Sequence, residues 1–90
     1  MGVKINIAPY LQPYTGNNVV VEVNGGQVGE CLEQLVKQFP GMGKMLYLEN
    51  GELFPHVAIF VNSADVYPEG LAKFVKEGDE VHIIYIIAGG

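Results

Sequence analysis

Apolar and polar positions alternate along the first strand-like stretch. Val3, Ile5 and Ile7 are interleaved with Lys4, Asn6 and Ala8, the period of two that turns one face of a strand into a core. Val19-Val20-Val21-Glu22-Val23 is a β-branched run and reads as a second strand. Between them Pro9, Pro13 and Gly16-Asn17-Asn18 are turn chemistry, so the two runs predict a hairpin with a long loop. The period then changes. Val28, Cys31, Leu32, Leu35, Val36 and Phe39 fall at i, i+3, i+4, i+7, i+8 and i+11, one apolar stripe on a helix. Glu30, Glu33, Gln34 and Lys37 take its wet face. Gln27 is a poor N-cap, because it lacks a short side-chain oxygen. Glu30 in the first turn compensates through the helix dipole, and Pro40-Gly41 ends the helix.

From Gly41 to Pro55 the chain reads as connection, with Met45-Leu46-Tyr47-Leu48 forming a short turn or strand. His56 to Val61 is a strand with Val57, Ile59 and Val61 on one face. Asn62 to Val66 turns into a short strand, and Leu71, Phe74 and Val75 predict one helical turn packed on the core. Gly78-Asp79 leads into a last strand over Glu80–Ile87. The order ββαββ predicts an α+β roll, a mixed sheet wrapped over one main helix. The helix stripe should meet Val3, Ile5, Ile7, Val57, Ile59, Val61, Val81 and Ile83.

Assigning that core leaves Ala58 and Phe60 of one strand, and His82, Ile84 and Ile86 of another, on the outer face. If the strands are neighbours, Phe60, Ile84 and Ile86 form an exposed apolar patch. A solvated antiparallel face is usually polar, so either a loop covers these side chains or a partner docks there.

Composition narrows the function by exclusion. Ninety residues are one domain, and ten acidic residues against five lysines give a formal charge of −5. Nucleic acid is therefore not an expected partner, since phosphates are read by lysine and arginine clusters. No apolar run approaches the roughly 20 residues that span a membrane and no leader opens the chain, so a cytoplasmic protein with no membrane partner is expected. Cys31 stands alone in the helix stripe and reads as a buried hydrophobe. Gly41-Met42-Gly43-Lys44 lacks the first glycine and the hydroxyl residue of a phosphate loop. His56 and His82 have no metal-ligand spacing, and no nucleophile–base arrangement is visible. Glu77, Asp79 and Glu80 make an acidic turn that solvation explains, with a basic partner as the alternative. A chain acting alone as an enzyme has almost nothing to work with.

What remains is Ala88-Gly89-Gly90 directly after an apolar strand. Such a tail is thin and free of bulky side chains. It fits a narrow channel and presents an unhindered carboxylate. The ββαββ order, Val61-Asn62 after the third strand, Gly78-Asp79-Glu80-Val81 before the last and the closing Gly89-Gly90 resemble the ubiquitin-like β-grasp sulfur carriers. That family includes the molybdopterin synthase small subunit, the thiamine-pathway carrier and the cysteine-synthesis carrier. The resemblance implies a β-grasp domain over residues 1–87 and a tail over 88–90. It implies a cycle in which an E1-like adenylating enzyme activates Gly90 and sulfur transfer leaves a thiocarboxylate there. A sulfur acceptor enzyme or synthase large subunit then takes the sulfur. Gly89 and Ala88 would thread the partner's channel, and Ala58, Phe60, His82, Ile84 and Ile86 would dock. No cofactor would be bound and no residue of the chain would be catalytic; ATP and magnesium belong to the activating enzyme. Leu11-Gln12-Pro13-Tyr14-Thr15-Gly16 is most similar to the cysteine-synthesis carrier. Tyr85-Ile86-Ile87 stands where molybdopterin synthase small subunits usually carry a proline pair. A protein modifier joined through Gly90 and a non-catalytic synthase subunit remain as alternatives.

Overall fold

The period-2 and period-3.6 stretches become strands and a helix where the pattern places them. In the computed structural model, which describes residues 2–86, the strands are β1 (Val3–Asn6), β2 (Val20–Val23), β3 (Val57–Val61), β4 (Ala64–Asp65) and β5 (Glu80–Tyr85). The α-helices are α1 (Val28–Gln38) and α2 (Met42–Leu46). β5 stops at Tyr85, short of the expected Glu80–Ile87, with Ile86 described and outside the strand. Ile87, the domain boundary there and the tail Ala88-Gly89-Gly90 lie outside the described residues. The five strands form one sheet in the order β2-β1-β5-β3-β4. β1 runs parallel to β5 and every other pairing is antiparallel, so the sheet is mixed, as the element order predicts.

The core is the one the periodicity defines. Val28, Cys31, Leu32 and Leu35 of α1 are fully buried, and so, within a few per cent, are Val3, Ile5, Ile7, Val57, Ile59, Val61, Val81 and Ile83. Val36 and Phe39 pack at the edge of the stripe. The Cys31 thiol is held up from its ordinary value by burial and then by the Glu30 charge, which suppresses the reactive thiolate. Gln27 makes no side-chain cap. Glu30 does more than a dipole contribution, because its carboxylate accepts the Gly26 N–H at 2.7 Å. Gly29 inside α1 costs about 1 kcal/mol of helix propensity relative to alanine. Its reason is close approach: a Cβ there would lie 3.2 Å from the Leu71 carbonyl oxygen.

Three segments depart from the sequence expectations. The connection after α1 contains α2, whose Met42 and Leu46 are one turn apart and fully buried. The loop of the first hairpin is a 3₁₀ helix, Pro9–Thr15, which buries Leu11 and Thr15 and ends on the left-handed Gly16. Phe74 does not pack on the core; it is 78% exposed. The helical turn stops at Ala72, and beyond it the chain is extended beside the start of α1. There the Val28 N–H donates to the Lys73 carbonyl and the Val75 N–H to that of Gly26. Alternation along an extended segment buries Val75 and turns Phe74 outward.

Val61-Asn62 and Gly78-Asp79-Glu80-Val81 meet in space. Val61 pairs with Val81, and Asn62, at φ 58°, exchanges backbone and side-chain bonds with the other turn. Its N–H donates to the Glu80 carbonyl (2.6 Å), its Oδ1 accepts the Glu80 N–H (3.1 Å), and its Nδ2 donates to Asp79 (3.3 Å). The Lys76 backbone N–H donates to the other Asp79 oxygen at 3.0 Å. That bond, opposed by desolvation and then helped by the Asn62 hydrogen bond and the Lys76 charge, holds the Asp79 carboxyl below its ordinary value. A lowered folded value means stability that is present above the unfolded pKa and lost as pH falls through the folded one. Thermal midpoints measured from pH 6 downward should therefore show a smaller acid loss below pH ~4 in Asp79→Asn than in the parent chain. Equal losses would remove Asp79 from the account.

Candidate functional site

The outer face is built by the β3–β5 register. Ala58 lies opposite Ile84 and Phe60 opposite His82, and the Ile86 N–H donates to the His56 carbonyl at 2.7 Å. The five outer-face residues expected to act together are therefore brought onto one surface. Ile84 and Ile86 are 41% and 49% exposed. Phe60, expected to be open, is only half-exposed, because it sits in register between His82 and Asp65 of its two neighbouring strands. Ala58 and His82 are likewise half-buried. The tail residues Ala88, Gly89 and Gly90 lie outside the described residues.

The face changes character along β5. Near its start, Glu80 accepts a hydrogen bond from Asn6 Nδ2 (3.2 Å) and lies 4.0 Å from the His82 ring. Towards its end only Ile84 and Ile86 point outward. Glu80 and Asp79 of the acidic turn are thus engaged within the domain. Among the described residues no three His, Cys, Asp or Glu side chains gather as a metal site, and no helix is long and apolar enough to cross a membrane.

Beside the apolar end of β5 lies an open groove of about 520 Å³. One wall runs from Asn6 to Tyr10 and the other from His82 to Tyr85. Its origin is local. Pro9 has no N–H to continue a ladder and opens the 3₁₀ helix, so β1 ends at Asn6 while β5 runs on to Tyr85. Tyr10 and Tyr85 meet edge-on across it, ring centroids 5.1 Å apart. Burial, with Tyr85 adding, pushes the Tyr10 phenol up, and its hydroxyl is buried with no hydrogen-bond partner among the described residues. Sequence reasoning passed over both tyrosines. The available signal was Pro9 directly after a strand whose neighbour is longer.

The ThiS family matches residues 6–90. Over its whole length the chain is 33% identical to the sulfur carrier protein CysO of Mycobacterium tuberculosis, across 93 aligned positions that cover 100% of both. In the crystal structure of the Amycolatopsis orientalis BexX/CysO complex, one chain superposes with a TM-score of 0.89 at 31% identity, covering 99% of this chain and 100% of that one. SAMP1 of Haloferax volcanii superposes at 0.79 with 26% identity, over 98% of each. The β-grasp architecture, the two turn motifs that meet at Asn62 and the match through Gly90 agree: the chain belongs to the ThiS family and is a full-length homologue of the CysO sulfur carrier proteins.

Proposed function

We infer that this protein carries sulfur on its own C-terminal carbonyl, at Gly90, as a substrate of partner enzymes. The observation that carries this reading is end-to-end homology to proteins named sulfur carriers, with Gly89-Gly90 inside the matched region. The chemistry asks little of the chain. A carboxylate oxygen is a poor leaving group, so the Gly90 carboxylate attacks the α-phosphate of ATP, with magnesium, in the activating enzyme. Pyrophosphate leaves and an acyl adenylate remains. A sulfide-level sulfur donor then attacks the carbonyl, AMP departs, and a thiocarboxylate stands where the carboxylate was. An acceptor enzyme takes that sulfur, most simply for cysteine synthesis, given the CysO likeness. The sulfur nucleophile, the metal and the charge-stabilising groups belong to the partners; this chain supplies the reacting carboxylate, a narrow tail and a docking face. An ATP-dependent cycle of this kind supports a cytoplasmic location.

The docking face is the apolar end of β3 and β5. Covering the exposed halves of Ile84 and Ile86 contributes about 1 kcal/mol each, and Phe60, Ala58 and His82 complete the surface. Ile84→Lys should weaken binding to the activating enzyme by about 10- to 100-fold, a hot-spot loss. The thermal midpoint should hardly move, because the position is already exposed. Titration calorimetry with the purified partner decides; unchanged affinity would move the docking site elsewhere.

The test of the reading itself is the intact mass of the protein isolated gently from its own cells, with the C-terminal peptide sequenced. One oxygen of Gly90 replaced by sulfur is the expected result. An unmodified terminus, there and after incubation with the cell's activating enzyme, ATP and a sulfur source, would sink it. The likeness to SAMP1, a small archaeal modifier, favours a second reading in which the activated Gly90 is joined to lysines of other proteins. Blots of cell extract against the C-terminal peptide separate the two, since only a modifier gives ladders.

A further inference from the structure

We propose that Tyr85, held between Tyr10 and His56, is a positioning residue for the chemistry at Gly90: the three rings fix where the chain leaves the sheet and so meter the reach of the tail. This rests on the carrier reading above. β5 outlasts its neighbour. The last β1–β5 pair is Asn6 with His82, and beyond it β5 is held on the β3 side alone, up to the bond between the Ile86 N–H and the His56 carbonyl. The Lys4 N–H donates to the Asp79 carbonyl, so odd-numbered residues of β5 turn their backbone groups towards β1. At Tyr85 no strand is there to meet them. A strand end bonded on one side only is prone to fray.

The rings supply the missing hold. Tyr10 meets the Tyr85 ring edge-on at 5.1 Å and 73°, and His56 lies 4.8 Å from it at 48°. His56 is in turn stacked on Phe54, 5.1 Å away at 20°. Aromatic pairs at these separations attract beyond the area they bury. Tyr85 is 47% exposed and is not part of the buried core, so the cluster secures the strand end rather than the domain. Among the described residues the Tyr10 hydroxyl has no hydrogen-bond partner, so among them packing sets that ring.

From Ile86 four residues lead to Gly90, a reach of at most about 14 Å. Freeing Tyr85 would move the anchor back towards Ile83 and add up to about 10 Å of slack. Activation is sensitive to such slack, because a misplacement of about 1 Å can cost on the order of 100-fold.

The test uses the full chain with Tyr85→Ala and Tyr85→Phe. On the protein alone, amide exchange at Ile86 should be at least about 10-fold faster in Tyr85→Ala and unchanged in Tyr85→Phe. With the adenylating partner and ATP, Tyr85→Ala should lower kcat for pyrophosphate release about 10-fold at unchanged KM, and Tyr85→Phe should restore it. Unchanged Ile86 exchange in Tyr85→Ala overturns the bracket whatever the partner does. A raised KM at constant kcat also overturns it, by making Tyr85 a docking contact. A parent chain that is never adenylated overturns the carrier reading instead, and the metering role with it, while the exchange result still decides the bracket.

Discussion

A chain lacking Gly89 and Gly90 should fold as the parent does and lose activation by its adenylating partner by at least about 1,000-fold. The fold half of this expectation follows from where the core lies. Every buried hydrophobic side chain described falls between Val3 and Ile83, so the deletion removes nothing from it. The thermal midpoint should stay within about 4 °C, the range of a surface change in a domain of this size. The chemical half follows from reach. The new carboxylate would sit on Ala88, two residues or at most about 7 Å of chain short of Gly90, while the docking face proposed on β3 and β5 stays intact. The deleted chain should therefore bind the partner and occupy it without turnover, acting as a competitive inhibitor of the parent. ATP–pyrophosphate exchange measures the loss, and midpoints by circular dichroism measure the fold. Exchange at the parental rate would show that activation does not require Gly89 and Gly90.

The division between fold and site explains what the sequence could reveal. Buried strands and helices leave a period, and every residue expected in the sheet core is buried. The outer patch came from the same parity, since fixing Ile59 and Ile83 inward places Phe60 and Ile84 outward. Parity does not measure cover, however. That Phe60 is half-shielded depends on His82 and Asp65 flanking it in register, and register is a property of strand order. α2 escaped because five residues containing Gly43 leave hardly one full period; only Met42 and Leu46, four apart, mark it. The Pro9–Thr15 3₁₀ helix looked like loop because Pro9, Pro13 and Gly16 are turn residues. They are also what a 3₁₀ segment with a left-handed cap is made from. The aromatic cluster was illegible for a different reason: Tyr10, His56 and Tyr85 come from three distant segments, and no local pattern joins them. The Asn62–Asp79 contact lies between these cases. Its two turns were visible as motifs, and the structure supplies the reason they occur together.

Leu32→Ala should lower stability by about 2–5 kcal/mol while leaving activation per folded molecule unchanged. Leu32 lies at the centre of the α1 stripe, with no exposed surface, facing the inner side of the sheet. Alanine is as good a helix former as leucine, so the loss is nearly all cavity and transfer, not helix propensity. Set against the roughly 5–15 kcal/mol available to a domain of this kind, the change consumes a large fraction of the total. The midpoint should fall by about 10–30 °C. Gln38→Ala, at the exposed end of the same helix, should change stability by no more than about 0.5 kcal/mol. The informative comparison is with the tail deletion. At a temperature where the Leu32→Ala chain is still mostly folded, its kcat and KM with the activating enzyme should match the parent, because neither the docking face nor the tail contains the altered side chain. Two lesions would then separate cleanly: one removes the fold and spares the chemistry, the other spares the fold and removes the chemistry. A Leu32→Ala chain that is folded yet activated poorly would mean that packing under β5 also sets the geometry at its end. The tail would then be positioned from the core as well as from the rings around Tyr85.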